Sequence, residues 1–405
     1  MTPRVYIAEK GETEVVLTLT QAMELQELRF CRVSPTSTAG IWRVGDVGRV
    51  GTVVLEGVVL HVVPKTPIEN IVYMASMGQR HITLSKQAIE HGWERALPAA
   101  LARAFLLEVR RATVRGLVKG YQEVHESAAV MRGRWDVSGQ LATRPGLPLP
   151  LEIDFDDFTP DISVNRILHT AVRALRTVEL PKPTALLRDE LLVEFIDVGT
   201  VPRGGVLPDI TFTRLTEHLA GAANLARMIL EAVSWTHRDG ARRGGTFLVN
   251  MANIFEAFVA ERLRSLLTPR ALSVTPQDRR WWLDEGRTVA LRPDIVISRD
   301  RPVAVADTKY KVLTDAAGAP PSTDVYQMVA YALALDVSSA HLIYVSGDVV
   351  SGRIDVPVAG AAIHLHAVRL DGSIDQLEHE MEALATALAG ARSEPVASVH
   401  VGAGR

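Results

Sequence analysis

Two apolar runs decide the fold of this chain: RPDIVIS at residues 292–298 and VAVADTK at residues 303–309. Both are rich in small and β-branched residues, and the short gap between them predicts a β-hairpin. A turn symmetric about residues 300 and 301 places Asp294 opposite Asp307. The same register pairs Val296 with Val305 and Ser298 with Val303. Because side chains alternate along a strand, Asp294, Asp307 and Lys309 are then expected on one face.

Two carboxylates opposed in this way repel each other, since facing side chains have Cβ atoms roughly 4.5–5.5 Å apart. A hard divalent cation offsets that repulsion, and Mg²⁺ binds through one or two carboxylates while keeping several waters. Such an ion lowers the pKa of a bound water and stabilises charge on a phosphate under attack. Lys309 is placed to orient that water. The alternative is a surface strand with solvated aspartates and an ordinary ion pair. The hairpin favours a metal-dependent phosphodiesterase.

The helices on either side of the hairpin add three candidates. Glu256 lies at the margin of the apolar stripe of a helix predicted over 249–267, where it either reaches the metal site or is solvated. Gln327 and Tyr331 are four residues apart, on one face of the next helix. Three roles are compatible with this pattern: contact with a DNA phosphate, support of Lys309 and, for Tyr331, packing in the core. The pattern alone leaves these alternatives open.

Composition narrows the class of protein. The 405 residues include 47% hydrophobic and 22% charged residues, which are ordinary globular values. No apolar stretch approaches the roughly 20 residues of a membrane helix, and Met1-Thr2-Pro3-Arg4 does not resemble a signal peptide. The single cysteine excludes an internal disulfide framework and a multi-cysteine metal site. We expect a soluble cytoplasmic protein. Its net charge of −3 means that DNA binding requires a local basic surface or a partner.

The pattern along the chain predicts an α+β multidomain protein. Residues 1–65 form a β-rich N-terminal domain, 66–240 a mainly helical middle region, and 241–392 an α/β domain with a mixed sheet flanked by helices. Residues 393–405 are expected to be a disordered tail.

Two further groups are weaker candidates. Arg279 and Arg280 precede two tryptophans, a composition that suits a nucleic-acid backbone as well as plain strand packing. His364 and His366 share a strand face, but no third metal ligand is expected nearby. The chain contains no phosphate-binding Gly-x-x-x-x-Gly-Lys-Ser/Thr loop, so any nucleotide hydrolysis is expected from another chain.

Short blocks spread over residues 66 to about 390 resemble the McrC family, the nuclease subunits of McrBC restriction systems. The blocks are PIENIVYM at 67–74, RGR at 132–134, TPD at 159–161, NRIL at 165–168, NIFEAF at 253–258, RPD at 292–294, DTKY at 307–310 and YQMVAY at 326–331. The last three are the most specific. The β-rich residues 1–65 depart from minimal family members, which leaves open the surface that docks the partner.

The resemblance implies a PD-(D/E)XK nuclease fold and a type IV-like restriction endonuclease in antiphage defence. It assigns the metal to Asp294, Asp307, the backbone carbonyl of Thr308 and Glu256, and the catalytic amine to Lys309. Gln327 becomes an accessory residue. It implies Mg²⁺, with Mn²⁺ as a substitute, and double-stranded DNA that carries modified cytosine. Its implied partner is a hexameric McrB-like AAA+ GTPase, which uses GTP and is stimulated by this subunit. Residues 1–65 are expected to take part in docking this partner.

Two other functions compete with this interpretation. The first is a stand-alone repair or defence nuclease without a GTPase, and the second is a non-catalytic activator of the GTPase with a vestigial site. The lack of a broadly basic composition speaks against the first. The complete set of Asp294, Asp307 and Lys309 speaks against the second.

Overall fold

A computed structural model describes residues 3–76, 97–233, 246–311, 320–346 and 352–390. Over these ranges the chain forms ten α-helices and eighteen β-strands, in agreement with the predicted mixture of α and β structure. Contacts divide the chain into two compact units. The first contains Met1–Gly51, Leu55–Ser85 and Val249–Arg405, and the second contains Thr52–Val54 and Lys86–Leu248. The boundaries predicted at residues 65, 240 and 392 stay predictions, and the predicted tail lies outside the described residues.

The N-terminal residues of the first unit form short strands, as the glycine-punctuated sequence predicts. The elements are β1 (Arg4–Ala8), β2 (Thr13–Val16), α1 (Leu19–Glu27), β3 (Arg32–Pro35), β4 (Ile41–Gly45), β5 (Val50–Leu55), β6 (Val58–Val63) and α2 (Ile68–Ala75). Strand β4 pairs antiparallel with both β2 and β3. Strand β1 pairs parallel with β6, with Ala8 opposite Val63. Parallel pairing brings the carboxyl ends of β1 and β6 to the same edge.

The second unit is mainly helical and also contains a three-stranded antiparallel sheet. Its elements are α3 (Leu97–Thr113), β7 (Gly120–Ala128), β8 (Arg134–Trp135), α4 (Val137–Thr143), β9 (Leu151–Thr159), α5 (Ser163–Ala174), α6 (Lys182–Glu194), α7 (Ala220–Ala232) and most of β10 (Phe247–Val249). Strand β9 was not predicted. Its signal is the alternation of apolar residues at 151, 153 and 155 with acidic residues at 152, 154 and 156.

The rest of the first unit is built on a six-stranded mixed sheet of order β11-β14-β15-β16-β18-β17. Its elements are α8 (Met251–Leu267), β11 (Ser273–Pro276), β12 (Trp281–Trp282), β13 (Ala290–Leu291), β14 (Ile295–Ser298), β15 (Pro302–Lys309), α9 (Ser322–Leu335), β16 (Ser339–Ser346), β17 (Gly352–Val356), β18 (Ala361–Arg369) and α10 (Ile374–Ala389). Strands β15, β16 and β18 run parallel, whereas β11, β14 and β17 are antiparallel to their neighbours. Helices α8, α9 and α10 pack against this sheet.

The predicted hairpin is β14 and β15. Its predicted pairing of Val296 with Val305 is confirmed, whereas the pairing of Asp294 with Asp307 lies outside the paired residues and stays a prediction. Val296 lies opposite Val305, and Ile295 opposite Ala306. The prediction for Ser298 was wrong: a bulge at the turn pairs it with Pro302 instead of Val303. A bulge inserts one extra residue on one strand, so a turn assumed to be symmetric shifts the last pair. The error is confined to the turn end and does not reach the acidic end of the hairpin.

Helix α9 closes the sheet face that carries the acidic end of the hairpin. Met328, Tyr331 and Leu335 of this helix pack against a buried apolar cluster that includes Val296, Val305, Leu342 and Tyr344. Within the described ranges, no helix combines the length and apolar content needed to cross a bilayer.

Candidate active site

Asp294 is fixed by the neighbouring strand. It directly precedes β14, and one of its carboxylate oxygens accepts hydrogen bonds from the backbone N–H of Thr308 at 2.8 Å and from the Thr308 hydroxyl at 2.9 Å. Thr308 was predicted to offer its backbone carbonyl to a metal. That role stays a prediction. The structure shows the backbone N–H and the hydroxyl of Thr308 acting as donors to Asp294.

Asp307 lies in the interior of the sheet with 1% of its surface exposed. Burial and, next, the negative charge of Asp294 raise the pKa of its carboxyl to about 6, against the opposing effect of the Lys309 amine. Its Oδ2 atom is within ion-pair distance of Lys309 Nζ but accepts no hydrogen bond of acceptable geometry among the described residues. A buried carboxylate oxygen without a hydrogen bond is costly unless a cation or a further donor satisfies it.

Lys309 is held between Asp307 and α9. Its ammonium donates to the side-chain oxygen of Gln327 at 2.9 Å, in addition to the ion pair with Asp307. Gln327 in turn donates to the Tyr331 hydroxyl at 2.8 Å, and that hydroxyl donates to the backbone carbonyl of Arg292 at 3.0 Å. Lys309, Gln327, Tyr331 and Arg292 are therefore linked by consecutive hydrogen bonds. The last of these residues, Arg292, lies two positions before Asp294 in the sequence.

Tyr331 is 4% exposed, so its side chain belongs to the core. Of the roles left open from the sequence, this placement favours packing and the support of Lys309 over a direct contact with DNA. Gln327 is also placed for support, since its oxygen is the acceptor for the Lys309 amine.

Glu256 lies on α8, close enough to Asp294 for their charges to interact. Burial first, and then the charge of Asp294, raise the pKa of the Glu256 carboxyl, while a hydrogen bond from Gln277 opposes the rise. Gln277 donates to Glu256 at 2.7 Å, accepts from the Arg292 guanidinium, and bonds through its backbone N–H to the Asp294 carbonyl at 2.8 Å. Glu256 therefore lies at the edge of the acidic site and is anchored by a glutamine.

The described residues contain no group of three or more His, Cys, Asp or Glu side chains arranged to hold a metal ion. The role of Glu256 as a metal ligand, directly or through water, therefore stays a prediction. A two-carboxylate site is still compatible with Mg²⁺, which commonly takes one or two protein carboxylates and fills its other positions with water. The negative charges of Asp294 and Asp307, which lie close enough for Asp294 to raise the pKa of Asp307, fit such an ion.

The two arginines singled out before the hairpin differ in their surroundings. Arg279 is exposed. Arg280 makes a two-point ion pair with the buried Asp278, at 2.9 and 2.6 Å, and this pairing lowers the Asp278 carboxyl pKa to about 2. Trp281 also donates to Asp278 at 3.0 Å. Arg280 therefore has a structural partner, although its side chain remains 75% exposed.

His364 and His366 face a third imidazole that was not anticipated from the sequence. His341 on β16 is hydrogen-bonded to His366 at 2.9 Å and to the Ser339 hydroxyl at 2.9 Å, and its ring stacks on both other histidines. Within the described part of the chain, these three imidazoles are not arranged to hold a metal ion. Burial, with the other histidines contributing, lowers the pKa of His341 and brings the pKa of His366 to about 4.

Two further residues near the site, Asp324 and Gln277, were not predicted from the sequence. Asp324, in the first turn of α9, is buried and accepts from the Tyr344 hydroxyl at 2.6 Å and from the Lys311 ammonium at 3.0 Å. Gln277 has a left-handed backbone with φ of 44°. An acidic residue at a helix start is an ordinary feature, and a left-handed glutamine has no local signal, so neither residue stands out in the sequence.

A family model described as "McrBC 5-methylcytosine restriction system component" matches residues 46–345, about three quarters of the chain. The chain belongs to this family. This confirms the relationship inferred from the sequence blocks. No curated protein sequence matches the chain.

Two solved structures from Thermococcus gammatolerans are similar to this McrBC-family chain. The first, "Refined half-complex from tetradecameric assembly of Thermococcus gammatolerans McrB AAA+ hexamers with bound McrC", contains a chain that is 16% identical, with a TM-score of 0.50 over 94% of this chain and 100% of that chain. At this identity the likeness shows the fold. The second, of the McrBC complex, gives 18% identity and a TM-score of 0.41 over 65% of this chain and 88% of that chain.

Proposed function

We propose that this chain is the Mg²⁺-dependent DNA endonuclease subunit of a McrBC-like restriction system. The observation that carries the proposal is the closeness of the buried Asp307 to Asp294, whose negative charge raises the pKa of Asp307, with the Lys309 ammonium against Asp307. Membership of a restriction-system family supports DNA as the substrate. The mixed sheet with its acidic hairpin supports a PD-(D/E)XK catalytic fold.

Asp294 and Asp307 are the residues that would hold the ion. When bound, Mg²⁺ supplies a water of lowered pKa and a positive charge beside the scissile phosphate. Thr308 keeps the Asp294 carboxylate in place through its two hydrogen bonds, so one ligand is oriented before any ion arrives. Burial of Asp307 excludes bulk water from the other ligand.

Lys309 is the residue proposed to act on the reacting atoms. Its ammonium carries three donors, of which one is directed at Gln327 and one faces Asp307. A third donor remains to orient the attacking water and to offset the charge that develops on the phosphate. The hydrogen bonds that run from Gln327 through Tyr331 to the Arg292 carbonyl hold the Lys309 amine in place without adding a charge.

The partner is part of the same proposal. A structure of similar fold contains McrB AAA+ hexamers with bound McrC, and this chain has no phosphate-binding loop of its own. We therefore infer that a McrB-like AAA+ GTPase recognises modified DNA, uses GTP and delivers the duplex, while this chain cuts it. The cytoplasm is the compartment in which such a system meets its DNA.

The test is cleavage by the full chain purified with its AAA+ partner. Modified and unmodified duplexes are incubated with GTP and Mg²⁺ or Mn²⁺, and wild type is compared with Asp307→Ala. Asp300→Ala is the matched control, because Asp300 is an exposed aspartate in the turn of the same hairpin. We expect cleavage by the wild type and by the control, and loss of more than about a hundredfold for Asp307→Ala.

Three outcomes would each contradict a different part of the proposal. Cleavage that survives Asp307→Ala overturns the catalytic assignment. Cleavage of unmodified DNA without GTP or partner indicates a stand-alone nuclease. Stimulation of GTP hydrolysis without any cleavage by the wild type indicates an activator without nuclease activity.

A further inference from the structure

In the first unit, a lysine follows the end of each of the strands β1, β6 and β15, and these three strand ends lie close together. Lys10 follows β1 by two residues, Lys65 follows β6 by two residues, and Lys311 follows β15 by two residues. Because β1 and β6 are parallel with Ala8 opposite Val63, Lys10 and Lys65 leave the sheet at equivalent positions. Lys311 comes directly after the Lys309-Tyr310 end of the candidate active site.

Contacts confirm that the three segments meet. The Lys10 ammonium donates to the backbone carbonyl of Tyr310 and lies 4.8 Å from the centroid of its ring. The Lys65 backbone N–H donates to the Glu9 carboxylate at 3.0 Å, and the Tyr310 hydroxyl is 3.3 Å from that of Thr66. Residues separated by about 300 positions in sequence thus form the edge beyond Lys309.

The positive charges at this edge are not fully compensated. Lys311 is paired with Asp324, and Glu9 supplies one buried carboxylate. Among the described residues, neither the Lys10 nor the Lys65 side chain makes an ion pair, and Lys65 is exposed. Partial burial of the amine lowers the Lys10 pKa, as do the charges of Lys65 and Lys311, while Glu9 opposes them. Like charges gathered in this way repel each other unless an anion binds between them.

We propose that Lys10, Lys65 and Lys311, here called the lysine edge, bind the phosphate backbone of the DNA beside the phosphate that is cut. The inference rests on the proposed nuclease function and adds the path of the substrate to it. Ammonium groups on flexible stems suit phosphate oxygens as point-charge partners. The chain as a whole carries a net charge of −3, so a duplex needs a local basic surface of this kind.

The lysine edge also gives the N-terminal strands a second role. From the sequence, residues 1–65 were expected to dock the partner. In the structure, β1 and β6 end against Tyr310, the residue that follows Lys309. The N-terminal strands are therefore part of the substrate-binding surface of the nuclease site, whichever surface contacts the partner.

The test measures how DNA affinity depends on salt, with the full chain and a short duplex, and with Ca²⁺ in place of Mg²⁺ to prevent cleavage. Each lost phosphate contact makes the slope of log K against log salt less steep by about one. We expect this change for Lys65→Gln and a change of about two for Lys10→Gln combined with Lys65→Gln. Lys65→Arg should retain the wild-type slope. Arg301→Gln, an exposed cation at the opposite end of β15, is the matched control and should leave the slope unchanged.

A double variant that folds and shows the wild-type slope overturns the lysine edge, and so does a wild type that does not bind the duplex. Thermal melting checks the fold, and Lys65→Gln alone provides a second variant at an exposed position. If binding to the AAA+ partner falls while the slope is unchanged, the edge is a protein-docking surface and the proposal is wrong. Cleavage by wild type and Asp307→Ala is measured in parallel. An altered slope without Asp307-dependent cleavage leaves the lysine edge standing and removes the catalytic assignment.

Discussion

The backbone N–H and the hydroxyl of Thr308 donate to the same carboxylate oxygen of Asp294, at 2.8 and 2.9 Å. Asp294 directly precedes β14 and Thr308 lies in β15, so the strand that carries Asp307 also orients the second acid. These hydrogen bonds hold the Asp294 carboxylate near Asp307, whose pKa the charge of Asp294 raises.

Replacing Thr308 with valine removes one of these two donors and keeps the β-branched shape and the backbone N–H. We expect about a tenfold rise in the Mg²⁺ concentration needed for half-maximal cleavage, because residues that orient metal ligands typically contribute 10- to 100-fold. Thr308→Ser keeps the hydroxyl and should behave like the wild type. An unchanged Mg²⁺ requirement in the valine variant would show that the hydroxyl does not orient Asp294.

The raised pKa of Asp307 predicts how the stability of the metal-free protein depends on pH. The folded carboxyl has a pKa of about 6 and the unfolded one about 3.8, so the fold favours the protonated form. The stability that the protonated Asp307 carboxyl contributes to the fold is fully present below pH 3.8 and is lost as the pH rises through 6. Asp307→Asn should therefore stabilise the metal-free chain at pH 8, by up to about 3 kcal/mol, and give little difference near pH 4.

Thermal melting in EDTA at several pH values measures this difference. Added Mg²⁺ should raise the melting temperature of the wild type and not that of Asp307→Asn, because a ligand stabilises only the form that binds it. A wild type that is more stable than Asp307→Asn at pH 8 in EDTA contradicts the raised pKa.

Gln327 is expected to position Lys309 and not to bind DNA. Gln327→Leu removes the acceptor for the Lys309 amine, so kcat should fall about tenfold with little change in KM. Tyr331→Phe should have a smaller effect in the same direction, since it acts on Lys309 only through Gln327. Tyr326→Phe is the control, because Tyr326 is on the same helix and 69% exposed. A rise in KM at constant kcat for Gln327→Leu would instead indicate a DNA contact.

The histidine cluster predicts a loss of stability in mild acid. The folded pKa of His366 is about 4 and the unfolded value about 6.5, so the unfolded chain binds the proton first as the pH falls. Stability should therefore decline between pH 6.5 and 4, with about 2 kcal/mol lost at pH 5 through this residue. His366→Gln keeps a group that hydrogen-bonds to His341 and should decline less steeply. Parallel unfolding curves for both proteins would contradict the assignment.

Much of the site could be predicted because its signals are local. The hairpin follows from two alternating apolar runs, and the shared face of Asp307 and Lys309 follows from their spacing of two. The helix predicted over 249–267 is α8 (Met251–Leu267), because its apolar stripe is a local signal and the Asn250 side chain caps its first turn. The bulge at Ser298 could not be predicted, because it depends on how the turn packs and not on the residue types within it.

The sequence by itself determined the strands of the hairpin, the two acids and the amine that they present, and the family to which the chain belongs. The tertiary structure alone decided what surrounds them: Thr308 as the donor to Asp294, Gln277 beside Glu256, His341 as the third imidazole, and Lys10 and Lys65 next to Tyr310. Periodicity and capping depend on residues within a few positions of one another. These contacts join segments brought together by sheet topology, up to about 300 residues apart, and no local stretch of sequence contains that information.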